Sequence, residues 1–143
     1  MYLCSMSLSV SPKKYSFPLQ ARLRKKKSVE TLFKQGQSFY LHPFKVVYVR
    51  FSESVEPVSD VQVLISVGKK HFKKAVDRNR IKRQIREGWR LQHHKLSQAL
   101  SDRNEQLHLA LIYTAKEQLE SPMIHHKIKT IIQRLTDQYE TYP

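Results

Sequence analysis

The sequence is poor in the residues that several classes of protein require. Cys4 is the only cysteine, which excludes a disulfide framework and a multi-cysteine zinc site and fits a reducing compartment. We therefore expect a cytoplasmic protein. The three glycines are too few and too scattered for a glycine-rich phosphate loop. No run approaches the roughly 20 apolar residues that a membrane helix needs, so we expect no membrane partner.

Acidic residues are also few, and their shortage is local. The chain of 143 residues has 26 Lys and Arg against 12 Asp and Glu, a formal charge of +14. Residues 13–34 carry eight basic side chains and one acid, and residues 69–90 carry ten basic and two acidic side chains. The rest of the chain is close to neutral. Such a distribution indicates two surfaces that contact an anionic partner, with nucleic acid the leading candidate.

Length and composition predict a single folded domain. A chain of this size corresponds to about one domain, and with 40% hydrophobic residues it is too apolar for general disorder. We expect a flexible leader over residues 1–14 and one domain over residues 15–143.

The first half of that domain contains a helix and two strands. Ser28 is a suitable cap for a short helix that ends at Gly36 and buries Val29, Leu32 and Phe33. The β-branched and aromatic segments 44–51 and 61–67 predict two strands, which we expect to pair antiparallel.

The second half contains a long helix, a strand and a final helix. Periodicity predicts a helix from about Ala75 to Arg90 that continues in a second piece through Leu100. Ile81, Ile85, Gly88 and Trp89 fall on one side of this helix, and Asn79, Arg83, Arg86 and Arg90 fall on another. Arg78 either precedes the regular helix, with Asp77 as the cap, or lies inside it with a partly covered stem. Segment 107–113 predicts a third strand, and Ser121-Pro122 begins an amphipathic helix. The order predicts an α+β sandwich, a small central sheet with helices packed against it.

Sequence patterns give little sign of catalysis by the protein. The acids are scattered and do not form the carboxylate cluster that a metal-dependent nuclease needs, and we expect no metal ligands and no catalytic side chains. The pairs His93-His94 and His125-His126 lack the spacing of four that helical zinc ligands have. His71, which lies beside several lysines, is a weak candidate for a catalytic side chain of a metal-free ribonuclease.

The segment from Lys69 to Glu87 carries the most specific signal. Its lysines and arginines lack the interleaved glutamates that stabilise a solvated helix face, and its arginines can bind phosphate bidentately. Lys69-Lys70, Lys73-Lys74-Ala75-Val76 and Arg78-Asn79-Arg80-Ile81-Lys82-Arg83 followed by Arg86-Glu87 resemble the signature of the bacterial ribonuclease P protein subunit. With Arg22-Leu23 and the order of elements, the resemblance covers residues 15–139.

The resemblance implies an RNA-binding subunit of a ribozyme. Members of this family bind a catalytic RNA and the 5′ leader of precursor tRNA. The catalytic RNA hydrolyses the phosphodiester bond that joins the leader to the tRNA, using Mg²⁺ that is held mainly by the RNA. It implies a monomer in a 1:1 ribonucleoprotein and a left-handed crossover between parallel strands, against the general right-handed rule. The implied contacts to the catalytic RNA are Lys69, Lys70, Lys73, Lys74, Arg78, Asn79, Arg80, Lys82, Arg83 and Arg86. The implied leader cleft contains Phe17, Arg22, Val29, Phe33 and Phe44 or Tyr48, with Val29 at a position where many members have an aromatic residue.

Two other functions fit parts of the pattern. A ribosomal or assembly-type RNA-binding protein could use the same basic helix, and sequencing the RNA bound in cells would separate it from a ribonuclease P subunit. A DNA-binding helix module is disfavoured, because no short turn joins two helices ahead of the basic helix.

Overall fold

A four-stranded mixed sheet organises the chain. The computed structural model describes residues 22–51, 61–103 and 105–141. In chain order the elements are α1 (Lys26–Gln35), β1 (Gln37–Leu41), β2 (Phe44–Phe51), β3 (Val61–Val67), α2 (Ala75–Gln92), α3 (His94–Asp102), β4 (Gln106–Tyr113) and α4 (Ser121–Thr141). The strand order is β1-β2-β4-β3. The predicted α+β class is confirmed.

Strand β4 lies in the middle of the sheet, and this placement corrects one prediction. Strands β2 and β3 do not pair with each other: β2 pairs antiparallel with β4, and β3 pairs parallel with β4. Most of the side chains of β4 are buried on both faces, as expected for a central strand. The partner of β2 on its other side is β1, a short strand of mostly exposed residues that the sequence analysis missed.

The sheet has two differently covered faces. Helices α2, α3 and α4 pack against one face, where Phe44, Val46, Tyr48, Leu109 and Leu111 belong to the main core. Helix α1 alone packs on the other face, against Val47 and Ala110. We call this second surface the α1 face.

Helix α1 begins earlier than the sequence suggested. It starts at Lys26, so Ser28 lies inside the first turn and does not cap it, because the lysines before Ser28 are themselves good helix formers. Leu32 is fully buried, Val29 is half-buried and Phe33 is exposed. The helix ends at Gly36 as predicted, and a Cβ there would lie 2.9 Å from Val47 Cγ1. Gly36 thus allows the end of α1 to sit directly on β2.

The long basic helix and the last helix agree with their predicted faces. Ile81, Ile85, Gly88 and Trp89 are buried on α2, and Ile124, Ile128, Ile131, Ile132 and Leu135 are buried on α4. Helices α2 and α3 connect the parallel strands β3 and β4. The left-handed sense of this crossover stays a prediction from the resemblance.

Candidate nucleic-acid interface

Arg78 holds the loop between β3 and α2 in shape. Its Nη1 donates hydrogen bonds to the carbonyl oxygens of Phe72, at 2.8 Å, and Lys73, at 2.9 Å. The Phe72 ring packs against Tyr113 with centroids 6.0 Å apart, which ties the loop to the end of β4. Arg78 lies within the first turn of α2 and is partly covered, the second of its two expected positions. The four lysines on this loop and at its junction with α2 are exposed: Lys69, Lys70, Lys73 and Lys74.

Helix α2 presents its cations on the side opposite its buried residues. Asn79, Arg80, Arg83 and Arg86 are exposed, and Lys82 is half-buried. Because Ile81 and Ile85 are completely buried against the sheet, the helix cannot rotate without exposing its apolar side. Core packing therefore fixes the direction in which the arginines point.

The two basic segments of the sequence meet in space at Arg86. Partial burial lowers the pKa of the Arg86 guanidinium, and the positive charges of Arg22 and Arg83 lower it further. Arg22 reaches this place because residues 22 and 23 run alongside β3, with the Leu23 amide donating to the Val63 carbonyl at 2.9 Å. The Arg86 guanidinium is thus repelled by those of Arg22 and Arg83 in the free protein, and a bound phosphate would relieve that repulsion.

Arg90 differs from the arginines before it on α2. Its guanidinium donates to both carboxylate oxygens of Glu87, with its Nη2 at 2.6 Å and its Nε at 3.1 Å. This contact lowers the pKa of Glu87 and raises that of Arg90. Arg90 is therefore paired with Glu87, whereas Arg80, Arg83 and Arg86 are the exposed arginines of α2.

The α1 face forms a partly apolar floor beside the cationic surface. Helix α1 covers its centre, where Leu23 and Leu32 are buried. Four side chains around this centre remain partly exposed: Val29, Val49, Leu64 and Ile112. Phe33, one helical turn after Val29 on α1, is 49% exposed. We call the surface formed by these four partly exposed side chains the groove. Apolar side chains of this kind can accept bases, while cations beside them contact phosphates.

Phe44 and Tyr48 do not line this groove, which corrects two predicted cleft residues. Successive residues of a strand point to opposite faces, and Phe44 and Tyr48 face the core beneath α2 and α4. Phe44 is completely buried against Tyr113, and the Tyr48 hydroxyl donates to Gln37 Oε1 at 2.9 Å. The residues of β2 that share the α1 face are instead Lys45, Val47 and Val49.

Three of the other predicted cleft residues are described, and their place in a leader cleft stays a prediction. Arg22 is exposed beside β3, and Val29 packs on the α1 face. Phe33 is on the same helix as Val29 but is exposed. Phe17 lies outside the described residues.

His108 is a buried polar residue of the α1 face that the sequence analysis missed. It lies opposite Val49 in the register of the sheet, so its side chain belongs to the α1 face. It is 9% exposed, and burial lowers the pKa of its imidazole, which keeps the ring neutral near pH 7. Alternation along segment 107–113 predicts that His108 points away from the face that carries Leu107, Leu109 and Leu111. Only the observed strand pairing shows that the face with His108 is the α1 face.

Metal-binding clusters and membrane helices are both absent from the described ranges. In residues 22–51, 61–103 and 105–141, no group of three His, Cys, Asp or Glu side chains is placed to hold a metal ion. None of the helices described there has both the length and the apolar character needed to cross a membrane.

A small α+β domain with a cationic loop, a helix of exposed arginines and an adjoining groove defines a nucleic-acid-binding protein. The family model described as ribonuclease P matches residues 17–136. The chain belongs to the ribonuclease P protein family.

Individual relatives agree with this membership. The ribonuclease P protein component of Porphyromonas gingivalis W83 is 36% identical over 107 residues, which are 75% of this chain and 77% of the relative. That of Chlorobaculum tepidum is 40% identical over 99 residues, 65% of this chain and 64% of the relative. The solved RNase P protein from Thermotoga maritima matches with a TM-score of 0.61 and 22% identity, over 79% of this chain and 96% of that structure. That structure supports the fold.

Membership assigns the general role of the chain. It is a protein component of ribonuclease P, a ribonucleoprotein endoribonuclease of tRNA processing. It therefore associates with the RNA of ribonuclease P and with the tRNA substrate. The comparisons do not favour the ribosomal or assembly-type alternative.

Proposed function

We propose that the loop and helix α2 bind the catalytic RNA of ribonuclease P and that the groove on the α1 face holds the 5′ leader of precursor tRNA. The observation that carries this proposal is the convergence of Arg22 with Arg83 and Arg86. These groups come from the two basic segments, and Arg22 is followed directly by Leu23, which is buried on the α1 face. A single RNA-binding surface is therefore continuous with the groove.

The groove suits a single strand of variable sequence. Its floor is built from aliphatic side chains, with Phe33 exposed at its edge. Contacts between bases and apolar or aromatic side chains depend little on base identity, which suits a protein that must accept many leaders. Lys45 is exposed on the same face and can contact a phosphate.

In this proposal the RNA performs the hydrolysis with Mg²⁺. A protein-borne metal site would need several convergent carboxylates, and the described residues do not supply such a group. Because these residues do not fit the metal, we assign them binding and orientation of the two RNAs. The protein then acts by raising the affinity of the complex for precursor tRNA.

Cleavage of precursor tRNA as a function of Mg²⁺ concentration tests the proposal. The protein is combined with its cognate ribonuclease P RNA, and the Mg²⁺ concentration for half-maximal cleavage is compared with that of the RNA alone. We expect the protein to lower it, and to increase the affinity for precursor tRNA more than for mature tRNA. No stimulation, or cleavage by the protein without RNA, would refute the proposal.

We further propose one protein per RNA and a cytoplasmic location, which the single cysteine fits. Light scattering of the purified complex gives its mass. A mass with two proteins per RNA contradicts the first proposal, and a fluorescent fusion outside the cytoplasm contradicts the second.

A further inference from the structure

Tyr40 is an exposed aromatic side chain whose position is fixed at its hydroxyl end. Its side chain is 58% exposed. The hydroxyl is 3.2 Å from Thr114 Oγ1 and 3.3 Å from His42 Nδ1, both within hydrogen-bond distance. These bonds restrict the rotation of the ring but leave its surface open to solvent. A ring that is already ordered loses little entropy when it binds a ligand.

Tyr40 lies at one end of a row of side chains that crosses the α1 face. In the sheet register Tyr40 is opposite Lys45, Lys45 is opposite Ile112, and Ile112 is opposite Ser66. Directly opposed residues share a face of the sheet. The row spans three strand spacings, roughly 14 Å, from β1 to β3. At its β3 end it is two residues from Gly68, where the cationic loop begins.

We propose that Tyr40 stacks a base of the leader RNA after the strand has crossed the groove, with Lys45 contacting the adjoining phosphate. This inference rests on the proposed function, because it extends the same groove to the edge of the sheet. The row combines an exposed cation with an exposed ring, the two groups that bind single-stranded RNA without sequence preference. The hydrogen bonds with Thr114 and His42 involve only the hydroxyl of Tyr40, so they do not explain why the ring is exposed to solvent.

The strand that reaches Tyr40 is the leader rather than the catalytic RNA. The cations assigned to the catalytic RNA extend from the loop along α2, which packs on the opposite face of the sheet. Tyr40 and Lys45 are on the α1 face, beyond the apolar floor. A segment that arrives at Tyr40 from the cationic loop must therefore cross the groove in which the leader is placed.

A series of leaders with single abasic nucleotides tests the stacking directly. Equilibrium affinities are measured for the complex of this protein with its ribonuclease P RNA, using precursor tRNAs that lack one leader base each. With the wild-type protein, one position far from the cleavage site should show a loss of about fivefold to a hundredfold. With Tyr40→Ala, the affinity for precursor tRNA with an intact leader should fall by the same factor. Removing the base at that position should then cause no further fall in affinity. Tyr40→Phe, which keeps the ring, should retain most of the affinity.

Control substrates and variants separate this inference from the proposed function. A precursor whose leader ends within the groove, short of Tyr40, should bind wild-type and Tyr40→Ala complexes equally, and its affinity relative to that of mature tRNA reports the proposed function alone. Met123→Ala removes a similarly exposed apolar side chain on α4, 50% exposed, and should change nothing. Independent, multiplicative losses from Tyr40→Ala and the abasic nucleotide would overturn the inference. So would weaker binding of the ribonuclease P RNA itself, because the ring would then face that RNA.

Discussion

Gly88 allows helix α4 to pack directly on helix α2. A Cβ at this position would lie 2.7 Å from Cδ2 of His125 and 2.9 Å from Cδ1 of Ile128. The His125 ring cannot easily move away, because its Nε2 is 3.2 Å from the Gln84 carbonyl and its own carbonyl accepts from Gln92 Nε2 at 2.9 Å. The absence of a side chain at Gly88 thus determines how closely the basic helix is held to the rest of the core.

We expect Gly88→Ala to lower the free energy of unfolding by about 1 kcal/mol. Overpacking costs about 1–3 kcal/mol, and the better helix propensity of alanine offsets about 1 kcal/mol. Urea denaturation of the free protein measures the difference. The matched control is Gly68→Ala, because a Cβ at Gly68 would meet no atom within 4 Å. Equal stability of the two variants would contradict the packing at Gly88.

Leu32 and Phe33 are neighbours in the sequence, but we expect Leu32 to matter for stability and Phe33 for binding of precursor tRNA. Leu32 is completely buried and Phe33 is 49% exposed, so Leu32→Ala should cost about 2–5 kcal/mol of stability and Phe33→Ala less than about 1 kcal/mol. In the complex with the RNA, Phe33→Ala should reduce the affinity for precursor tRNA while that for mature tRNA stays unchanged. Equal reductions for precursor and mature tRNA would remove Phe33 from the leader groove. Urea denaturation and equilibrium binding provide the two measurements.

At the scale of elements, the basic helix could be predicted because one sequence pattern determines it. The positions of Ile81, Ile85 and Trp89 fix both the helical period and the buried side, so the outward direction of Arg83 and Arg86 follows. Each of these side chains has the exposure that this pattern predicts. The cationic part of the interface therefore depends on local information.

The groove could not be predicted in the same way, because it depends on which strands pair. Alternation along β2 divides its residues correctly into two faces, but it does not show which face α1 covers. Phe44 and Tyr48 were assigned to the groove because their face of β2 carries the aromatic residues. Both side chains instead face the core. The insertion of β4 between β2 and β3 is a long-range pairing, and the linker between these two strands carries no signal for it.

The exposed arginines of helix α2 lead to a prediction about RNA affinity and its dependence on salt. Arg83→Ala and Arg86→Ala should each weaken RNA binding and reduce the slope of log affinity against log salt by about 0.7–0.9 for every phosphate that the variant no longer binds. Binding of the ribonuclease P RNA, measured over a range of salt concentrations, gives the slope. Arg134→Ala is the matched control: Arg134 is an exposed arginine on α4, and its guanidinium lies 4.2 Å from the centroid of Phe39. An unchanged slope for Arg83→Ala would mean that Arg83 does not touch the RNA backbone.

The fold brings together charges that the sequence keeps apart. Residues 22–27 and helix α2 are separated by three strands along the chain, yet Arg22 affects the pKa of Arg86. The pairing of residues 22 and 23 with β3 produces this proximity. The same contact positions Arg22 beside the cationic surface and Leu23 on the α1 face. Arg22, Arg83 and Arg86 therefore belong to one cationic surface in the folded protein.

Salt should act in opposite directions on the free protein and on its complex with RNA. In the free protein, added sodium chloride screens the repulsion among Arg22, Arg83 and Arg86 and within the net charge of +14, so the melting temperature should rise by a few degrees. In the complex, the same salt should weaken binding, because the release of counterions becomes less favourable. The double variant with Arg83→Gln and Arg86→Gln should melt higher than the wild type at low salt and respond less to salt in both measurements. A melting temperature that is independent of salt, or an equal salt response of the double variant, would contradict the convergence of the two basic segments.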